Sequence, residues 1–410
     1  MKKMSMEKML FWLLERHTTI RAIQRLTRSR SGKRRALPIP RFQPAADFER
    51  LCGVLMREAA PGPVPILEVL VDGDILAEVV EGERSLHLCM TDLLNLDLDR
   101  LSLRDVGLII KLMNLCIEFS KVVGYDGVMM MPVVPLPRTP MREAMNPQQG
   151  QTRLWQNEHQ GLITSPKEFE NFTWPGIDDI SIFPLAYAAT ALDPGMKLLV
   201  FCQGIFEDLR DLMGFENMAI KTIEEPELID NILERLTVLA EAAIEKSMRH
   251  PMSGALIYSD DMGFQSGPML SPGFMREHVF PRQKRLADIC HKYRKPFILH
   301  SCGRIEPLME DLIELVGIDA RHSFQDNIQP VEEAYRKYHE RISILGGLDV
   351  DLLARGTPDQ VRARCRQILD VCGPGGGYCM GSGNSVTNYC RVDNYYAMID
   401  ETRKWNQEHF

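Results

Sequence analysis

Short apolar runs that end in polar residues recur along this chain, and stretches with helical spacing separate them. The sharpest run is Pro296-Phe297-Ile298-Leu299-His300-Ser301-Cys302-Gly303. Apolar residues lead straight into His300 and Cys302, and a glycine opens the next turn. A continuous apolar run bounded by turn signals reads as a strand buried on both faces. The same reading predicts strands at 64–71, 127–134, 197–202, 254–259, 296–300, 319–324, 342–348 and 377–381. Helical spacing follows each of them, at 75–81, 102–123, 180–192, 205–248 (broken near Pro226), 271–293, 305–316, 330–338, 357–372 and 393–405. Ser271-Pro272 and Thr357-Pro358 supply N-cap and first-turn residues. Repeated right-handed βα units predict an α/β protein, a (β/α)8 TIM barrel. A doubly wound open sheet would want a glycine-rich turn after the first strand, and none is there. Gly373 to Gly377 precedes a strand and reads as a helix stop.

Two stretches break the rhythm. Residues 5–28 have helical spacing and residues 29–44 form a linker rich in Arg, Ser and Pro, so 1–46 is read as a helical extension. Asp47 is placed to cap the first helix of the barrel, which is assigned 47–410. Residues 135–174 are proline-rich, lack periodicity and are too long for a connector. They are read as an insertion with a hairpin, lidding the mouth through Arg153, Trp155 and Glu158.

Composition changes this picture little, with 45% hydrophobic and 25% charged residues and no apolar run that could span a membrane. The ten cysteines form no CxxC pair, which suits reduced thiols and a cytoplasmic location. Charge is uneven. Residues 1–41 hold twelve Lys/Arg against Glu7 and Glu15, a net +10, which leaves −18 for the rest of a chain of net −8. A basic arm on an acidic body suits docking to an acidic surface. With no aromatic residue between Trp12 and Phe42, a base-stacking platform and a nucleic-acid role are not expected.

In a barrel, chemistry collects at strand C-terminal ends. The predicted ends carry Asp72 and Asp74, Cys202 and Gln203, Ser259, Asp260 and Asp261, His300 and Cys302, His322 and Gln325, Asp349, and Ser382 with Asn384. His300 and Cys302, two apart, project to one side and make half of a zinc site. Acid–base work falls to Asp260, Asp261 and His322, with His300 as a further candidate. Asp260 and Asp261 are adjacent, so one faces the mouth while the other caps or pairs with backbone. Glu68, Gln203, Asp349 and Asn384 are assigned to substrate. No GxSxG, P-loop or HExxH motif is present.

These strand ends spell a pattern. Ser259 to Gly263, Gly267 to Pro272, Lys295 to Gly303, Gly346 to Asp349, and Gly373 to Gly377 with Gly381 to Asn384 resemble the uroporphyrinogen decarboxylase superfamily over residues 47–407. Within it they resemble the branch of corrinoid-dependent methyltransferases. The resemblance implies the barrel, a site at its C-terminal mouth, and zinc held by a His-x-Cys pair and a later Cys. His300 and Cys302 match the pair. The later Cys falls near Asn384, with Cys379 five residues earlier, so an acidic residue at another strand end or His322 is left to complete the set. The decarboxylase itself carries an arginine-rich segment after its first strand. Here Leu67 to Asp72 is acidic, which repels a polycarboxylate.

The expected function is therefore a methyltransferase component. It would move a methyl group between a small O-, N- or S-methyl substrate and the corrinoid of a partner protein, with zinc as the chain's own cofactor. A decarboxylase-like lyase acting on another carboxylate is the alternative, and a non-catalytic binding protein the third reading. A homodimer is allowed.

Overall fold

The computed structural model describes residues 45–84, 103–139, 142–146, 151–155 and 161–410. The expected helix at 5–28, its linker and Glu158 lie outside the described residues, as do the side chains of Arg153 and Trp155. Nine strands are described, numbered in chain order: β1 Gly127–Met130, β2 Arg142–Asn146, β3 Gln151–Trp155, β4 Lys197–Gln203, β5 Ser253–Ser259, β6 Phe297–His300, β7 Ala320–His322, β8 Ser343–Leu345 and β9 Tyr378–Cys379. β2 and β3 form an antiparallel hairpin inside the proline-rich stretch. The other seven make one parallel sheet, in the order β1-β4-β5-β6-β7-β8-β9. β5 and β6 are buried along their whole length, as expected of a parallel sheet covered by helices. No described helix is long and apolar enough to cross a membrane.

The eighth position is filled differently from the expectation. Residues 64–71 lie parallel to the last strand but touch it through isolated bridges, Ile66 with Met380 and Val71 with Val386. Between the bridges the ladder is interrupted by a side chain: the Ser382 N–H donates to Glu68 Oε1 at 2.9 Å instead of to a backbone carbonyl. Gly381 permits the close approach, since a Cβ there would sit 2.2 Å from the Leu67 carbonyl oxygen. Among the described residues no backbone ladder joins this segment to β1. A cavity of about 40 Å³ lies at that seam, lined by Leu67, Glu68, Phe119, Tyr125 and Met129 among others.

The helices follow the periodicity, with local corrections. Asp47 Oδ1 accepts from the Arg50 N–H at 3.0 Å, and Thr357 with Gln360 forms a capping box. The region 205–248 is three helices, because Gly214 at φ +72° breaks it as well as Pro226. The region 271–293 contains a π turn at Met275–Val279 before the helix Phe280–Lys292. Pro281 has no N–H to donate one turn back, which disfavours regular α geometry there.

Candidate metal centre at the barrel mouth

Parallel register places the site. Ser259 pairs with His300 and His300 with His322, so β5, β6 and β7 end level. The turn after β6 is clasped by the loop after β5. The Met262 N–H donates to Ser301 Oγ at 3.1 Å, and the Arg304 N–H to the Phe264 carbonyl at 2.8 Å. Gly303 has φ +80°, and a Cβ on it would lie 2.1 Å from the Gly263 oxygen, so only glycine permits the clasp. The clasp carries Asp261 against Cys302, whose N–H donates to Asp261 Oδ1 at 2.7 Å.

Asp261, His300 and Cys302 thereby offer three donor atoms that all lie within 4.8 Å of one another. His300 Nε2 is 3.5 Å from Cys302 Sγ and 3.9 Å from Asp261 Oδ1. Zinc bonds of about 2.0–2.3 Å in a tetrahedron put ligand atoms about 3.3–3.8 Å apart, close to these spacings. The donor set therefore fits a zinc ion with one position open. His300 is buried and Cys302 half-buried.

The hydrogen bonds behind the donors fix their states. His322 Nε2 lies 2.9 Å from the Ser382 carbonyl oxygen, which can only accept, so Nε2 carries the proton. His322 Nδ1 is then an acceptor, and His300 Nδ1 donates to it at 2.7 Å. His300 Nε2 is left with its lone pair facing Cys302 and Asp261. Burial and the neighbouring His300 push His322 down to about 3, so it is neutral at physiological pH. Burial lowers His300 as well, against the pull of Asp261. Burial, then Asp261, push the Cys302 thiol well up. Without a cation the sulfur keeps its proton.

Asn384 stands against the same sulfur. Its Nδ2 donates to Cys302 Sγ at 3.3 Å, while its Oδ1 accepts from the Ser385 N–H at 2.8 Å. The amide thus backs the sulfur, where a partner outside a metal's ligand set would stand.

The other sequence-derived candidates lie as follows. Asp260 is wholly buried and holds the N-terminus of the helix Ile205–Met213, accepting from the Glu207 N–H at 2.8 Å, Gln283 Nε2 at 2.8 Å and the Tyr258 hydroxyl at 3.0 Å. Burial raises it to about 7. Its oxygens are turned to backbone and neighbours, whereas Asp261 faces the sulfur. Asp349 caps the helix Val350–Arg355 through the Asp351 N–H at 2.7 Å. Gln203 donates to Asp211 Oδ2 at 2.8 Å. Glu68 lies behind the mouth, against Ser382.

Three residues near the mouth escaped the sequence reading. Arg138, at the start of the proline-rich stretch, pairs with Asp208 at 2.7 Å and Asp211 at 3.3 Å, tying that stretch to the helix after β4. Arg210 pairs with Glu207 at 3.1 Å. Burial and the facing Asp261 push Glu207 well up. Its only sequence signal was an acidic first turn directly after a strand.

A parallel barrel with imidazole, thiol and carboxylate at its C-terminal mouth defines a class of protein that works on a ligand in that mouth. The chain belongs to the uroporphyrinogen decarboxylase (URO-D) family, whose profile matches residues 165–405. It is 28% identical over 243 residues to the methylated-thiol–coenzyme M methyltransferase of Methanosarcina mazei, covering 56% of this chain and 63% of that protein. It is 26% identical over 190 residues to the uroporphyrinogen decarboxylase of Anaeromyxobacter dehalogenans, covering 46% of this chain and 51% of that protein. The matches thus span less than two thirds of either relative's length. A solved methyltransferase from Methanosarcina mazei shares the fold, with a TM-score of 0.60 at 15% identity over 88% of this chain and 99% of that one.

Proposed function

We propose that this protein is a methyltransferase component. It moves a methyl group between a small O-, N- or S-methyl substrate and the corrinoid of a partner protein, at a zinc site made by Asp261, His300 and Cys302. The observation that carries the reading is the meeting of those three donors at the mouth of a barrel related in sequence to a methyltransferase. Zinc, when bound, supplies Lewis acidity that keeps a substrate thiol ionised or polarises a methyl-bearing heteroatom. The chain's residues do the rest. His322 keeps the His300 Nε2 lone pair turned outward. The Asn384 side-chain N–H donates a hydrogen bond to the sulfur of Cys302. Arg138 draws the proline-rich stretch toward the helix after β4, where it can wall the mouth and exclude water. Asp349 and Gln203, at neighbouring strand ends, remain candidates for substrate contact.

The mouth argues against a polycarboxylate substrate such as the decarboxylase takes. Arg138 and Arg210, near the mouth, are each paired with carboxylates of the chain itself. The test is elemental analysis combined with demethylation of free methylcobalamin, followed by absorbance, in the presence of small thiols. One zinc per chain and thiol-dependent demethylation are expected, with both abolished in His300→Ala and Cys302→Ala while circular dichroism is unchanged. Full demethylation by a zinc-free Cys302→Ala protein would overturn the metal reading.

A further inference from the structure

The site's own residues do not account for a buried carboxyl standing behind it. Glu68 is 6% exposed and has no charged partner within ion-pair distance among the described residues. Its Oε1 accepts from the Ser382 N–H at 2.9 Å, and its Oε2 is in short contact with Ser382 Oγ. The same Ser382 Oγ is in short contact with the Asn384 carbonyl oxygen. A serine hydroxyl has one proton and cannot donate it to both oxygens. The Asn384 carbonyl can only accept, so it takes the Ser382 proton. Glu68 Oε2 must then bring a proton of its own.

We propose that Glu68 is a positioning residue that acts as a carboxylic acid: its proton, passed along as a donor chain from Glu68 to Ser382 to Asn384, sets the turn that presses the Asn384 amide onto Cys302. The proposal rests on the metal reading for its consequence but not for its geometry. Ser382 is the hub. Its carbonyl receives His322, its N–H and hydroxyl meet Glu68, and its turn delivers Asn384 to the sulfur.

The surroundings agree. Burial raises Glu68 to about 8, against the opposing pull of the two Ser382 contacts. The tyrosines and the cysteine that face it are uncharged in this range. Tyr125, from the turn before β1, and Tyr395, from the helix Val392–His409, bond each other and are pushed well up by burial. Cys390, from the loop before that helix, is raised to about 11. Arg403, on the same helix, is a cation beside the two tyrosines and spends Nη2 on the Val123 carbonyl. The seam cavity of about 40 Å³ borders Glu68 and is large enough to hold water. Above about pH 8 the carboxylate would claim the Ser382 proton as the stronger acceptor, and the Asn384 carbonyl would lose its donor.

Glutamine mimics the protonated acid, since it can donate to Ser382 Oγ and accept from the Ser382 N–H. Leucine can do neither, and it carries no charge either. Zinc affinity is measured at pH 7 against a chromophoric chelator in wild type, Glu68→Gln, Glu68→Leu and Ser382→Ala, each checked by thermal unfolding. Glu68→Gln is expected within threefold of wild type, with Glu68→Leu and Ser382→Ala at least tenfold weaker. In parallel, the metal-free protein is titrated by 1H–15N NMR of the Asn384 side-chain amide, assigned with Asn384→Ala. The amide should shift with a midpoint near pH 8 in wild type and stay still in Glu68→Gln. Equal zinc affinity in Glu68→Leu and Glu68→Gln, or an Asn384 amide that does not respond near pH 8, would overturn the proposal. If no variant binds zinc, the metal reading fails and the titration alone decides the role of Glu68.

Discussion

At the scale of single residues, the site depends on which atom of each group holds a proton. His322 shows this best. It accepts from His300 on one ring nitrogen and donates to the Ser382 carbonyl with the other. Its depressed titration, to about 3, keeps that division intact across the physiological range. A leucine there would strand two buried polar groups, His300 Nδ1 and the Ser382 oxygen, and would free the His300 ring to turn. Zinc affinity should fall about 10–100-fold in His322→Leu, the usual cost of losing a partner behind a ligating histidine. Glutamine offers one acceptor and one donor and should restore most of the loss. Chelator competition reads both variants, and equal affinities for the two would show that the hydrogen-bond pattern is not what His322 provides.

At the scale of elements, the strand ends were legible because an apolar run buried on both faces must stop where polar chemistry begins. His300 falls at the end of β6 for that reason, and the parallel order of seven strands follows from repeated βα spacing. What failed was the first strand. Its ladder is broken by the Glu68 carboxyl taking a backbone N–H from a residue 314 positions away, and no local pattern announces such a contact. Nor could spacing tell which of Asp260 and Asp261 would face the sulfur. That depends on the helix after β4 needing its N-terminus filled, which Asp260 does. Asn384 reaches Cys302 only because β6 and the end of the chain's last strand come level around the barrel. The seam itself makes a prediction. A methyl at residue 381 would sit 2.2 Å from the Leu67 carbonyl, so Gly381→Ala must push segment 64–71 outward. Unfolding in urea should show a loss of about 1–3 kcal/mol, the range for overpacking a tight interior. Unchanged stability would mean that the segment moves aside without cost.

At the scale of the whole molecule, charge divides the chain into two parts, and we propose that the first is an extension of the barrel. Residues 1–41 carry net +10 and the remainder −18, and the helix starting at Phe48 already has its own cap in Asp47. The sheet and its helices enclose a continuous apolar core built from residues 48–405. Attraction between a basic arm and an acidic body is long-range but weak when both are solvated, and it is screened over about 8 Å at physiological ionic strength and about 3 Å at 1 M salt. The arm is therefore expected to add little to folding and to serve docking, either to the barrel's outer surface, to another copy, or to the proposed corrinoid-bearing partner. Deleting residues 1–41 should leave the thermal midpoint unchanged within error at low salt and at 1 M salt alike. A midpoint that falls on deletion at low salt, with the difference vanishing at 1 M, would show the arm clamped electrostatically on its own barrel. A fall that persists at 1 M would show that the arm packs through apolar residues such as Leu13, Leu14 and Ile23, and that the division of the chain near residue 46 is wrong.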